Sequence, residues 1–267
     1  MTEKIDSWFG TTVDRLNDPK NQRVWSIIVS LFGDMAQDPK DRISGSALTR
    51  VIGPMGIKPE AIRVALHRLR KDGWIDSSRI GRTSVHFLTP SGRAQSAAVT
   101  PRIYSHAPES ITSWHVLMAQ ETSGQSTLED VMLTQNYISI GRHSALGAGP
   151  VPRNCEDLLT FVVDKMSVPN WLRNQIYAPE LIETCTDLEQ ALQGLSQVPA
   201  GLSAAQIATL RTLIVHRWRR VVLRHPDLPP EFHPDNWPGT SCRTHVFGLL
   251  DQLPRPNLNT LGDPPDH

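Results

Sequence analysis

Residues 58–93, KPEAIRVALHRLRKDGWIDSSRIGRTSVHFLTPSGR, constrain the fold more than any other stretch of the chain. Pro59 stands near a first helical turn, where a missing N–H costs nothing. Ile62, Leu66 and Leu69 then recur at i, i+4 and i+7, so they share one inward face bordered by Ala65. The same wheel gathers Arg63, His67 and Arg70 on a flank away from that stripe, with Arg68 and Lys71 elsewhere on the polar arc. Gly73 is the expected stop. Residues 74–78 and 83–88 read as two strands, and SRIGR between them as a hairpin tip in which Gly81 supplies backbone freedom. Trp74, Val85, Phe87 and Leu88 are the residues that would anchor the hairpin to a small core.

Upstream, Val24, Ile27, Ile28, Leu31 and Phe32 in NQRVWSIIVSLFGDMAQ are spaced for a helix. SGSALTRVIGPMG predicts a second, short helix with Ser44 or Ser46 as its N-cap, ended by Gly53, Pro54 and Gly56. Two short helices, a glycine-rich turn and a basic helix make a helix-turn-helix pattern. A hairpin directly after the basic helix reads as a wing whose arginines reach phosphates or the minor groove while the helix enters the major groove. The candidate DNA-binding residues are Ser44, Ser46, Lys58, Arg63, His67, Arg68, Arg70, Arg79, Arg82, Thr83 and Ser84. Two alternatives stay open: a basic helix can be a solvated face, and a winged helix can bind protein.

Charge supports the DNA reading. The chain is neutral overall, but residues 1–104 hold sixteen Lys/Arg against ten Asp/Glu, and residues 105–267 eleven against seventeen. A basic half joined to an acidic half suggests a nucleic-acid-facing segment coupled to one with another job. No apolar run reaches about 18 residues, so no membrane span is expected. MTEKIDSWFG is acidic and polar where a secretory leader would be basic and then apolar. Cys155, Cys185 and Cys242 stand far apart without C-x-x-C spacing, which suits buried thiols in a cytoplasmic protein.

The rest of the chain reads as α+β followed by helix. ITSWHVLMAQE reads as a strand, QSTLEDVMLTQ as a helix, YISIGRHSALG as a strand and LLTFVVDKM as another. APELIETCTDLEQALQGL predicts a helix. So does the segment after Ser203, with Ile207, Leu210, Ile214, Trp218 and Val221 as its core stripe and His216, Arg219, Arg220 and Leu223 on the opposite face. A last helix begins near Pro238. The expected division is 1–104, 105–170, 171–253 and a disordered tail, 254–267. His216 and His225 are nine apart, with His233 and His245 in other elements. No acid–base pair, nucleophile elbow or phosphate loop accompanies them, so no catalytic residue, metal or cofactor is expected.

Several stretches together resemble the PaaX family of bacterial transcription regulators. The family pattern appears in Leu31 to Asp34, Arg63, Arg68, Leu69, Gly73, Trp74, Gly81, Arg82, Ser84, Leu88, Thr89, Gly92 and Arg102 to Tyr104, with Ile62 in place of a commoner valine. It returns in Leu213, His216, Trp218, Arg219, Arg220, Leu223, Pro226, Leu228 and Pro229, then Trp237, Pro238 and Gly239. Arg217 stands where an acid is common, and His225 where an aspartate is expected. The resemblance implies a winged helix-turn-helix, a ferredoxin-like middle domain of the Cas2 kind and a helical C-terminal domain. It implies a repressor of an aromatic-acid (phenylacetate-type) operon that binds double-stranded operator DNA as a homodimer. Phenylacetyl-CoA or another acyl-CoA is the implied effector. His216, Arg219, Arg220 and Trp237 are the candidate effector contacts, although the two arginines fit structural ion pairs equally well. A metal-dependent nuclease in the Cas2-like unit is a rival reading, but Glu121 after the first strand has no paired aspartate.

Overall fold

A computed structural model describes residues 2–106, 111, 113–133, 137–195, 197–226 and 228–262. In chain order these form α1 (Thr2–Leu16), α2 (Val24–Met35), β1 (Ile43–Ser44), α3 (Gly45–Ile52), α4 (Pro59–Lys71), β2 (Ile75–Ile80), β3 (Thr83–Leu88) and α5 (Pro90–Tyr104). There follow β4 (Trp114–Met118), α6 (Gln125–Met132), β5 (Tyr137–Gly141), β6 (Ser144–Ala148), β7 (Leu159–Val163), α7 (Asn170–Ile176), α8 (Pro179–Leu192), α9 (Ala204–Val222) and α10 (Gly239–Gln252). The class is α+β, with two small antiparallel sheets among the described residues. No helix among them is long and apolar enough to cross a membrane.

The chain divides into two compact units that do not follow chain order. Described residues within 1–106, 184–221 and 238–262 form the first, and those within 107–183 and 222–237 the second. The first unit joins the basic N-terminal segment to the C-terminal helices, a pairing invisible to local periodicity.

α9 explains that pairing. Every residue from Ala208 to Trp218 is buried, so α9 is a central helix enclosed on all sides along that stretch. On the face opposite the expected core stripe, His216 is therefore buried as well. Polar groups on such a helix must find partners inside the fold. Thr209 Oγ1 donates to Val51 O at 2.7 Å, and Trp218 Nε1 to Ile103 O at 2.9 Å. Arg217, the residue departing from the family pattern, is also buried, and its Nη1 lies 3.5 Å from Leu16 O.

Two helices lie outside the stretches read as helical from sequence: α1, although Ile5, Trp8, Phe9, Val13 and Leu16 follow helical spacing, and α5, which carries no apolar stripe. α1 buries Val13 and Leu16, and Arg15 Nη2 reaches Gln190 O at 2.9 Å. α5 buries only Gly92, Ser96 and Ile103. Its signal lies at the start: Thr89 Oγ1 accepts from Gly92 N at 3.0 Å and donates to Gly73 O at 2.6 Å, with Pro90 at the first helical position. A Cβ on Gly92 would stand 2.1 Å from Trp74 O. The Gly73–Trp74 and Thr89–Gly92 pieces of the family pattern are therefore one junction between hairpin and α5.

The tail expected to be disordered is ordered as far as Gly262. Leu261 is fully buried, and Arg50 Nη1 donates to Gly262 O at 2.8 Å. Positions 263–267 lie outside the described residues. The three cysteines are free and buried.

The second unit is built on a four-stranded sheet of order β5-β6-β4-β7, every neighbouring pair antiparallel. YISIGRHSALG is two strands, not one: the chain turns at Arg142–His143, where the polar pair interrupts the apolar run. Leu117, Ala119, Leu128, Ala145, Cys155 and Leu158 make the core between sheet and α6. His115 is buried on β4, with its ring nitrogens 2.9 Å from Gly149 O and Tyr137 Oη. Tyr177, His225, His233 and Trp237 form an aromatic cluster in the same unit. There His225, the second departure from the family pattern, packs its ring between Tyr177 and Trp237 at 5.1 Å from each.

Candidate nucleic-acid interface

Ser44 is the N-cap of α3: its Oγ accepts from Ala47 N at 3.1 Å and lies 3.0 Å from Ser46 Oγ. The cap uses Ser44 locally and leaves Ser46 exposed. α3 leads through a short turn into α4, which starts after the exposed Lys58. The Ile62, Ala65, Leu66 and Leu69 side of α4 is buried as its spacing predicts, and α4 packs on α2.

The opposite side carries Arg63, Val64, His67, Arg68, Arg70 and Lys71, all exposed. Arg63 Nη2 lies 2.9 Å from Glu60 Oε1, but both side chains are open to water, so the pair is weak and a phosphate or base can displace it. Arg68 lies 3.5 Å from Asp72 Oδ2 and sits over the Trp25 ring at 5.1 Å. Arg70 Nη1 donates to Ser77 Oγ at 3.1 Å and so ties the basic helix to the hairpin.

β2 and β3 pair in register from Ile75↔Leu88 to Ile80↔Thr83, leaving a two-residue turn. Gly81 takes its first position with φ +60°, where a hairpin connection favours glycine. β1 adds a third strand through Ile43↔His86 and Ser44↔Val85. Val85 and Leu88 are buried, and Phe87 is covered by the Arg42 guanidinium at 4.0 Å. Arg79, Arg82, Thr83 and Ser84 are exposed, as is Ile80. All the DNA-binding candidates thus fall in one module of α3, α4 and the hairpin. Apolar periodicity could not flag Val64, which is 70% exposed in the middle of the basic face.

Of the effector candidates, His216, Arg219 and Arg220 belong to the first unit and Trp237 to the second. His216 Nδ1 lies 3.0 Å from Ser30 Oγ, and Arg219 Nη1 donates to the same oxygen at 2.8 Å. Burial, then the Arg219 and Arg220 charges, push the His216 pKa down to about 4. Burial likewise lowers that of Arg219. Arg220 Nη1 is 2.6 Å from Asp18 Oδ2. Trp237 belongs to the second unit's aromatic cluster, 4.6 Å from Tyr177.

A different hub emerges at Asp34, the last residue of the LFGD stretch. Its buried carboxylate accepts from Arg211 Nε at 2.8 Å and Nη2 at 2.7 Å, from Tyr104 Oη at 2.7 Å and from Arg255 Nε at 3.1 Å. Burial would raise the Asp34 pKa, but Arg211, Tyr104 and Arg255 outweigh it and hold it below the usual range. Arg211 and Arg255 gave no signal in sequence, because nothing local pairs them with residue 34. Among the described residues no group of three or more His, Cys, Asp and Glu could hold a metal ion.

Two stretches, one from α2 to the start of α5 and one across the C-terminal helices, match family models. One family model, PaaX-like protein, matches residues 23–92, and a second, PaaX-like protein C-terminal domain, matches 179–257. The matches cover more than half of the chain, which belongs to the PaaX-like family. Transcriptional repressor PaaX of Escherichia coli (strain K12) is 28% identical over 252 residues, 85% of this chain and 79% of that protein. The fold is shared with an uncharacterized protein from Mycobacterium tuberculosis at a TM-score of 0.51 and 17% identity, covering 85% of this chain and 94% of the other.

Proposed function

We propose that this protein is a DNA-binding transcription regulator of the repressor type, and that α3, α4 and the β2–β3 hairpin are its winged helix-turn-helix. The carrying observation is the exposed basic face of α4, joined through Arg70 and Ser77 to a hairpin whose tip displays Arg79 and Arg82. α4 would lie in the major groove, with Arg63 and His67 toward base edges, while Lys58, Arg79, Arg82, Thr83 and Ser84 meet phosphates. Ser46, exposed at the start of α3, is placed for a phosphate contact as well, and Ser44 holds that helix start in shape.

The order β5-β6-β4-β7 supports a ferredoxin-like reading of the second unit, with one crossover, residues 149–158, free of helix. A nuclease there has less support, because Glu121 belongs to no cluster of metal-ligating side chains among the described residues. The relative's name supports the repressor reading. The family resemblance adds a homodimer acting in the cytoplasm on an aromatic-acid operon, released by an acyl-CoA.

Fluorescence anisotropy with operator and shuffled duplexes tests the base-reading role. Arg63→Ala should weaken operator binding by about 1–3 kcal/mol and leave shuffled DNA almost unaffected. Equal weakening on both would assign Arg63 to phosphate, and no binding by the wild type to either would sink the DNA reading.

A further inference from the structure

An open cleft of about 390 Å³ lies beside the Asp34 hub in the first unit, a volume within the range of small-molecule sites. Tyr104, His106, Arg211, Phe247, Asp251 and Arg255 line it. Two guanidinium groups here share one carboxylate. Arg211 is fully engaged: it forks onto both Asp34 oxygens, and its Nη1 donates to the carbonyls of Leu250 and Leu253. Arg255 differs. Its side chain is 52% exposed, it meets Asp34 through Nε, and its guanidinium lies over the Tyr104 ring at 5.0 Å. A guanidinium held by Nε still presents a planar edge that matches a phosphate or carboxylate. On the cleft wall the His106 ring stacks on Phe247 with centroids 4.1 Å apart, a flat platform for a planar group. Asp251 adds a hydrogen-bond acceptor.

We propose that this cleft binds a small molecule carrying a phosphate or carboxylate, with Arg255 holding the anion and the His106–Phe247 stack holding a planar group. An anion on that edge shares the Arg255 guanidinium with Asp34 and so weakens their pairing. Asp34 stands in the last turn of α2, and α2 packs on α4, so occupancy of the cleft is linked to the seating of the basic helix. That link, unlike the binding, rests on the reading of the chain as a DNA-binding regulator.

The test titrates inorganic pyrophosphate into the full chain at low ionic strength by calorimetry. The wild type should show saturable binding. Arg255→Gln should weaken it at least about tenfold, Arg255→Lys should recover only part of it, and Arg153→Ala, which removes an exposed cation of the second unit, should leave it unchanged. Thermal unfolding of each variant checks the fold. No saturable binding by the wild type, or equal binding by Arg255→Gln, overturns the site. Release from DNA by phenylacetyl-CoA separates the two claims. Equal release of wild type and Arg255→Gln would keep the effector reading and overturn the cleft as its site. Pyrophosphate binding that depends on Arg255, in a protein that phenylacetyl-CoA does not release, would keep the site and sink the effector reading.

Discussion

The Tyr104 hydroxyl donates to Asp34 Oδ1 at 2.7 Å, joining the end of α2 to the end of α5. These are the last residues of the LFGD and RIY stretches, so two separate marks of the family meet in one hydrogen bond. Arg211 completes the hub from α9, with its side chain almost fully buried. Asp34→Asn keeps a partner for Tyr104 but leaves the Arg211 charge unpaired. Denaturant unfolding should show a loss of about 3–5 kcal/mol. The Asp34 pKa is depressed in the fold, so its contribution is present above the unfolded value of 3.8 and lost as pH falls below it. The acid limb of the wild-type stability curve below about pH 4 should therefore flatten in the variant. An unchanged stability would mean that Arg211 does not depend on this carboxylate.

A second acid-sensitive contribution comes from His216. Its folded pKa of about 4 lies below the ordinary value of 6.5, so the neutral ring stabilises the fold above pH 6.5. That stability is lost as pH falls from 6.5 toward 4, by about 3 kcal/mol if the whole shift counts. His216→Gln should flatten stability across this window, read as unfolding midpoints from pH 7 to pH 4. An unaltered slope there would place the titration elsewhere.

Gly92 sits at the junction of the hairpin and α5. Its close approach to the Trp74 carbonyl leaves no room for a side chain, and backbone cannot move aside cheaply. Gly92→Ala should destabilise the protein by about 2 kcal/mol or more, through the junction of hairpin and α5. Ser91→Ala, at an exposed neighbour, should stay within about 0.5 kcal/mol. Denaturant midpoints of the two variants make the comparison.

These residues show what was legible from sequence. Ile62, Leu66 and Leu69 marked the buried face of α4, and Gly81 marked the hairpin tip, because period and turn chemistry are local. α5 was not legible, since its buried residues are Gly92, Ser96 and Ile103 rather than an apolar stripe. The buried face of α9 was underestimated because His216 and Arg217 look polar in a wheel, and their partners lie near the N-terminus. Asp34 was legible as part of a family mark. Its pairing with Arg211 and Arg255 was not, because an ion pair 177 residues apart has no local spacing.

Val64 is an exposed aliphatic residue among arginines, placed to meet a thymine methyl if α4 lies in the major groove. Val64→Ser should cost about 1 kcal/mol on operator DNA, with shuffled duplex unaffected. Circular dichroism should show no loss of fold, because the side chain is outside the core. Equal affinities of variant and wild type for the operator would remove Val64 from the interface.

Binding of DNA by α4 and the hairpin leaves its clearest mark at the hairpin tip. Arg79 and Arg82 flank Gly81, exposed at the end of a strand pair tied to α4. Affinity for operator duplex should be measured across a salt series for the wild type and for Arg79→Ala/Arg82→Ala. If the hairpin meets phosphates, the variant is equally stable and its slope of log K against log salt is shallower by about 0.9 for each phosphate no longer neutralised. A slope and an operator preference both identical to those of the wild type would contradict DNA binding by the hairpin.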